Sequence, residues 1–190
     1  MTVEGKAEAD NLNVELSELQ FSVVRNVQID GKAGPNILGL GSFDLGPETG
    51  LPAGWQTWLG AKPPLELHPA GPGKNRFLHV GEGPHFFLAH TAPLHIQHGA
   101  IYEMSFRARG TATITSFAHP LAPSRFYPLP LRVGDPQSQE HKVGHEGWQT
   151  YSRLWFSGAM HTTMVRPALA IVAGPKGVDI DDVQFRKVGE

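Results

Sequence analysis

The chain of 190 residues contains no cysteine. This absence excludes disulfide frameworks, thiol nucleophiles and cysteine-ligated zinc sites. Charged side chains are also scarce, at 18% of the chain with a net charge of -2, and lysine and arginine form no run. We therefore expect no nucleic-acid partner. No stretch approaches the ~18 apolar residues of a membrane span, so we expect no membrane partner either.

Glycine and proline are abundant, with 22 and 16 residues, where average usage of the pair is roughly 12%. Turns therefore separate short apolar segments, and helical periodicity is almost absent. Residues 76–80 form one predicted strand, and residues 101–108 alternate apolar and polar side chains as a half-buried strand does. Residues 111–117 follow Gly110 directly, so the sequence predicts a hairpin between the two segments.

Three further strands are predicted near the carboxyl terminus, over residues 148–156, 168–172 and 178–185. Several short strands without helices predict an all-β fold, an antiparallel β-sandwich. The proline-rich segment 118–147 is predicted to be a long loop, which in a compact domain is usually functional or mobile.

The first residues differ in character from the rest of the chain. Residues 1–35 are predicted to be a linker-like segment with one possible added strand over residues 21–29, and residues 36–190 to form the domain. Residues 1–10 are polar and show no apolar signal core, which suits either a cytosolic protein or a module excised from a longer secreted one.

Five motifs, in order and with matching spacing, resemble carbohydrate-binding modules of families four, nine and twenty-two, whose fold is a galactose-binding-domain-like jelly roll. The motifs are Gly-Leu-Gly-Ser-Phe-Asp at 39–44 with Gly-Trp at 54–55, the strands at 73–80 and 99–108, Trp-Gln-Thr-Tyr at 148–151 and Ile-Asp-Asp-Val at 180–183. The resemblance implies a jelly roll that binds a β-linked polysaccharide, xylan or a β-glucan, without catalysis. Such modules accompany secreted glycoside hydrolases, so we expect an extracellular module tethered to a catalytic domain.

The resemblance also implies a structural calcium ion. It would be held by a backbone carbonyl near Ser42 and by the carboxylates of Asp44 and Asp181, since calcium requires several oxygen ligands. Asp182 has the opposite strand parity to Asp181, so only one of the two can face inward.

Sugar binding requires an aromatic face for the pyranose ring and planar polar groups for its hydroxyls. By resemblance to xylan-binding relatives, segments 84–90 and 125–127 are candidates. Phe86 and Phe87 point to opposite faces, and Phe86 is the predicted platform because His90 shares its parity. The candidate ligand-binding residues are His85, Phe86, His90, Arg125, Phe126, Tyr127 and Trp58. Trp55 and Trp148 occupy motif positions that relatives use in the core.

Four histidines, His85, His90, His95 and His98, fall within a short window. Imidazole clusters can bind zinc or copper. His95 and His98, however, have opposite parity in a strand and would point to opposite faces of a sheet. A catalytic metal is therefore disfavoured.

Other functions remain open beside carbohydrate binding. A structural or protein-interaction jelly roll would have its cleft covered, for example by segment 118–147. A jelly-roll polysaccharide lyase would need cations such as Arg107, Arg109 and Arg125 to neutralise an acidic sugar. Because no serine-hydrolase, zinc-protease or phosphate-loop motif is present, the sequence predicts a protein that is not an enzyme.

Overall fold

The computed structural model describes residues 34–38, 43, 51–60, 64–69, 76–121, 138–157 and 164–189. The chain divides into two units, residues 1–31 and 32–190, and every described residue belongs to the second. The sequence placed this division after residue 35. The strand predicted over residues 21–29 lies outside the described residues.

The described residues form eight strands that pair antiparallel. They are β1 (Trp55–Gly60), β2 (Leu65–Pro69), β3 (Arg76–Val80), β4 (Phe86–His90), β5 (Leu94–His95), β6 (Ile101–Pro120), β7 (Ser138–Phe156) and β8 (Met164–Gly189). In this part of the chain no helix has the length and apolar character needed to cross a membrane.

The last three strands are far longer than the sequence suggests. The predicted hairpin around Gly110 is wrong, because β6 runs through this residue and pairs with β8 from Ile101 to Pro120. Gly110 has φ +104°, a conformation that lets the strand bend without reversing. Segments 168–172 and 178–185 likewise belong to one strand, β8, which is interrupted by a bulge at residues 174–177.

These bends divide the curled sheet into two facing layers. Layer 1 contains β2, β3 and residues 101–109, 148–156 and 178–189 of the long strands. Layer 2 contains β1, β4, β5 and residues 111–120, 138–145 and 164–173. The two halves of β8 establish the division, because residues 178–180 pair with β3 and residues 168–171 pair with β4. The fold is therefore the predicted antiparallel β-sandwich, a jelly roll.

The main core lies between the layers and contains side chains from both, including Leu78, Phe106, Ile114 and Ile180. The loop predicted over residues 118–147 is shorter than expected at both ends. Residues 118–120 continue β6, and β7 begins at Ser138, which pairs with Phe117. The sequence missed this extension because prolines dominate the segment between the strands.

Candidate functional site

A cleft of about 490 Å³ opens on the outer face of layer 1. The side chains and backbone that line it come from β2, β3, β6 and β8, and from Pro64 and Gly81, which adjoin β2 and β3. They belong to Pro64, Glu66, His68, Phe77, His79, Gly81, Arg109, Gly110, Lys176, Gly177 and Asp179.

Strand alternation determines which side chains face this cleft. In β3, Leu78 and Val80 are fully buried in the core, so Phe77 and His79, which alternate with them, lie on the outer face. Phe77 is nevertheless only 9% exposed, because neighbouring side chains cover it. Glu66 pairs with His79 across β2 and β3. Asp179 pairs with His79 on the other side of β3, and these side chains therefore form a row across the sheet.

His68 and Phe77 of the cleft, together with the neighbouring Trp148, form an aromatic wall. His68 stacks on Phe77 with ring centroids 5.5 Å apart and an interplanar angle of 22°. Trp148 of β7 reaches across the intervening strands and meets the Phe77 ring edge-on, with centroids 5.7 Å apart. Trp148 was expected in the core, but it is half-buried on this outer face. Trp55 is in the core as expected, at 4% exposure.

Two arginines of β6 support the tryptophan. The guanidinium carbon of Arg109 lies 4.8 Å from the centroid of the Trp148 ring and 5.1 Å from that of Phe77. Arg107 approaches the same indole at 5.2 Å. Each contact is a cation–π interaction, and together they fix the orientation of Trp148.

Hydrogen bonds link the polar groups beside the rings. Arg109 Nε donates to Asp179 Oδ2 at 2.8 Å. His79 Nδ1 lies 2.7 Å from Asp179 Oδ1, and because a carboxylate only accepts, Nδ1 is the donor. At the edge of the cleft, His68 Nε2 lies 2.9 Å from Glu66 Oε2. Both carboxylates of the cleft are therefore partnered, and Asp179, whose side chain is 15% exposed, is held by two donors.

Gly177 allows the His79 ring to take this position. Its φ is +70°, and a Cβ built there would lie 2.7 Å from His79 Cε1 and 2.7 Å from the backbone oxygen of Val80. A larger residue would be strained and would displace the imidazole.

This arrangement suits a carbohydrate. A sugar ring presents an apolar face, which packs on aromatic side chains, and hydroxyls, which bond to planar polar groups. Phe77 is covered by His68 and Arg109, so the aromatic surface open to a ligand belongs to His68 in the cleft and to Trp148 beside it. Arg109 and Asp179 supply the polar groups.

Phe86, which the sequence predicts to be the stacking platform for a sugar, lies in the core instead, so that prediction is wrong. Phe86 is 1% exposed and belongs to the main core, so its ring cannot stack on a sugar. His90 shares its face, as predicted, but is 5% exposed and bonds through Nδ1 to the Ala92 carbonyl at 2.8 Å. Phe87 is the partly exposed member of the pair, on the outer face of layer 2.

Among the remaining predicted ligand-binding residues, only His85 has a side chain that the structure describes. His85 is exposed and packs against Phe87, with ring centroids 4.7 Å apart. Trp58 lies in β1, and its side chain is outside what the structure describes. Arg125, Phe126 and Tyr127 lie outside the described residues.

Of the predicted calcium ligands, Asp181 is described. It is 1% exposed, and its Oδ1 accepts a hydrogen bond from the Asp182 amide at 2.7 Å. Asp182 faces outward and pairs with Arg107 at 3.1 Å. Ser42 and Asp44 lie outside the described residues, and within the described ranges no three His, Asp or Glu side chains form a group that could hold a metal ion.

A buried polar cluster lies apart from the cleft, in the core. His141 Nε2 lies 3.1 Å from Ser116 Oγ, and its ring meets Phe106 and Tyr151 edge-on. Burial, with a smaller contribution from the nearby Arg153 charge, lowers the pKa of His141 to about 4. Burial also raises the pKa of Tyr151. The imidazole is therefore neutral at pH 7.

Sequence reasoning missed most of the cleft, although a signal was present. Polar or aromatic residues recur at every second position in each contributing strand, as in Glu66 and His68, Phe77 and His79, or Arg107 and Arg109. Such alternation indicates an outward face. It does not indicate which strands are neighbours, and that information was required to assemble the site.

No protein-family model and no curated protein matches the sequence. Solved structures are similar in fold. The carbohydrate-binding module TmCBM61 in complex with beta-1,4-galactotriose has a TM-score of 0.52 at 12% identity, over 80% of this chain and 99% of that chain. A cyclase from Fischerella sp. TAU, in complex with 4-(1H-indol-3-yl)butan-2-one, has a TM-score of 0.52 at 13% identity, over 84% and 100%.

The enzymatically active domain of bacteriophage CBA120 tailspike protein 4 has a TM-score of 0.54 at 12% identity. The match covers 80% of this chain but only 22% of that chain. These three structures are a binding module, a cyclase and a tailspike domain. The similarity therefore establishes the jelly-roll fold, and function must be argued from the site.

Proposed function

We propose that this protein is a non-catalytic carbohydrate-binding module whose binding site is the cleft on the outer face of layer 1. The observation that supports this most directly is the aromatic wall, whose partly exposed rings are His68 and Trp148, beside the hydrogen-bonded Arg109 and Asp179. Ordered aromatic and planar polar groups recognise a sugar without losing much side-chain freedom on binding.

The ligand we propose is a β-linked polysaccharide, xylan or a β-glucan. The five sequence motifs shared with modules of families four, nine and twenty-two support this choice. On the same grounds we propose that the module is extracellular and accompanies a catalytic domain of the glycoside hydrolase type.

Binding rather than hydrolysis is supported by the state of the carboxylates. A glycosidase needs two carboxyl groups roughly 5–9 Å apart that can exchange protons with the substrate. In the cleft, Asp179 already accepts from Arg109 and His79, and Glu66 contacts His68.

Affinity electrophoresis against xylan, β-glucan, mannan and galactan tests the proposal. We expect retardation by at least one β-linked polymer. Absence of retardation by all of them would contradict carbohydrate binding, and release of reducing sugar or unsaturated products during the run would contradict the non-catalytic assignment.

We also propose the structural calcium ion, bound by Ser42, Asp44 and Asp181. Asp181 suits it as a buried carboxylate. Phe43, between the other two ligands, has φ +53°, and Asp182, next to Asp181, has φ +48°. Non-glycine residues seldom adopt this conformation, and such strain often accompanies ligand sites.

A further inference from the structure

The charged side chains of the cleft differ in whether they have a partner within the protein. The carboxylates of Glu66 and Asp179 each contact a histidine, and Asp179 also pairs with Arg109. Lys176 lines the same cleft, is exposed, and pairs with no carboxylate among the residues that the structure describes. Lys176 is therefore a cation of the cleft that is not already paired with a carboxylate that the structure describes, and its ammonium is available to an anionic group of a ligand.

The backbone holds Lys176 at this position. Gly110 pairs with Val178 and Ala112 with Ala173, so residues 174–177 form a bulge opposite Thr111. A bulge of this kind redirects a side chain out of the regular strand alternation.

Close contacts on both sides of the lysine define the shape of this bulge. A Cβ on Gly174 would lie 2.8 Å from Thr111 Cγ2, and a Cβ on Gly110 would lie 2.6 Å from the backbone oxygen of Gly177. Glycines are thus required at the contacts on either side of Lys176, where the ends of the bulge pack against β6.

From this placement we propose that the cleft recognises an acidic saccharide, with the Lys176 ammonium paired to an anionic substituent of the sugar. The inference rests on the proposed function and specifies its ligand class. The apolar ring face packs on the partly exposed rings of the aromatic wall, His68 and Trp148, and the substituent, a uronic acid carboxylate or a sulfate ester, lies toward the bulge. A glucuronic acid side group on xylan meets these requirements.

Binding titrations with four polymers test the inference: unsubstituted xylan, glucuronoxylan, carboxyl-reduced glucuronoxylan and xylan sulfate. We expect glucuronoxylan, xylan sulfate or both to bind more tightly than the two neutral polymers, by about threefold as for an exposed ion pair. Whichever charged polymer binds more tightly than the neutral ones identifies the recognised anion as a carboxylate or a sulfate. The gain should fall as ionic strength rises.

Lys176→Gln should remove the gain and leave the affinity for neutral xylan unchanged. Lys142→Gln is the matched control, because Lys142 is exposed on β7 in layer 2, away from the cleft. Equal binding of charged and neutral polymers, or a gain that survives Lys176→Gln, would overturn the acidic-ligand inference while carbohydrate binding stands. Failure of all four polymers to bind would overturn it together with xylan as the ligand.

Discussion

Arg109 contacts Asp179 through Nε at 2.8 Å while its guanidinium carbon lies 4.8 Å from the centre of the Trp148 ring. One side chain thus couples the polar and aromatic parts of the cleft. Loss of either contact should loosen the other, because the guanidinium plane is held by both.

Removal of the aromatic wall should abolish most of the binding. We expect Trp148→Ala to weaken polysaccharide affinity by about tenfold or more, as truncation of a central aromatic residue does in other binding sites. Isothermal titration with the polymer retained in electrophoresis measures this change. Phe87→Ala is the control, since Phe87 lies on the outer face of layer 2. If Phe87→Ala lost binding and Trp148→Ala did not, the binding site would lie on the outer face of layer 2 instead.

Asp179→Asn should weaken binding without unfolding the protein. The variant keeps the shape of the side chain but loses the charge that orients Arg109 and His79. We expect a stability loss of about 1 kcal/mol, because the partners are partly exposed, and a several-fold loss of affinity. Asp182→Asn removes a neighbouring ion pair with Arg107 and should affect affinity less. Equal affinity losses in the two variants would argue against a specific role for Asp179.

Phe86 and Phe87 should differ in their contribution to stability. Phe86 is 1% exposed in the main core, so Phe86→Ala should lower the free energy of unfolding by about 3–5 kcal/mol. Phe87→Ala, on a partly exposed face, should cost about 1 kcal/mol. Urea denaturation of both variants measures the difference. Similar costs would contradict the assignment of Phe86 to the core.

Stability should decline in mild acid because of His141. Its pKa is lowered from 6.5 to about 4 by burial, with a smaller contribution from Arg153, so the unfolded chain binds the proton more readily. The contribution of neutral His141 to the free energy of unfolding is therefore complete above pH 6.5. It is lost as the pH falls toward 4, by up to ~3 kcal/mol. Urea unfolding should give a lower free energy of unfolding at pH 5 than at pH 8. In His141→Gln the difference between the two pH values should be smaller. An equal pH dependence in the variant would exclude His141 as its source.

Calcium should stabilise the fold if Asp181 is one of its ligands. We expect EDTA to lower the melting temperature and added calcium to restore it, by linkage of binding to folding. Asp181→Asn keeps an oxygen for the Asp182 amide but should reduce the response to calcium. A melting temperature unaffected by EDTA in the unmutated protein would rule out the ion.

The sequence by itself determined the class of fold. Alternation in residues 101–108 and the turn glycines sufficed to predict an antiparallel sandwich, and residues 76–80 form β3 as predicted. These features depend on neighbours along the chain, where side-chain parity and backbone preference act.

Strand continuity and the site were decided by the tertiary structure. Whether Gly110 ends a strand or bends one depends on β8, which pairs with β6 on both sides of it. The cleft likewise joins His79 and Arg109, which lie far apart in sequence and meet because β3 and β6 both pair with β8. Arg109 in turn contacts Trp148 of β7 beside the cleft. Parity assigned Phe86 and Phe87 to opposite faces correctly, but it could not identify the core side, since that depends on which layer covers the strand.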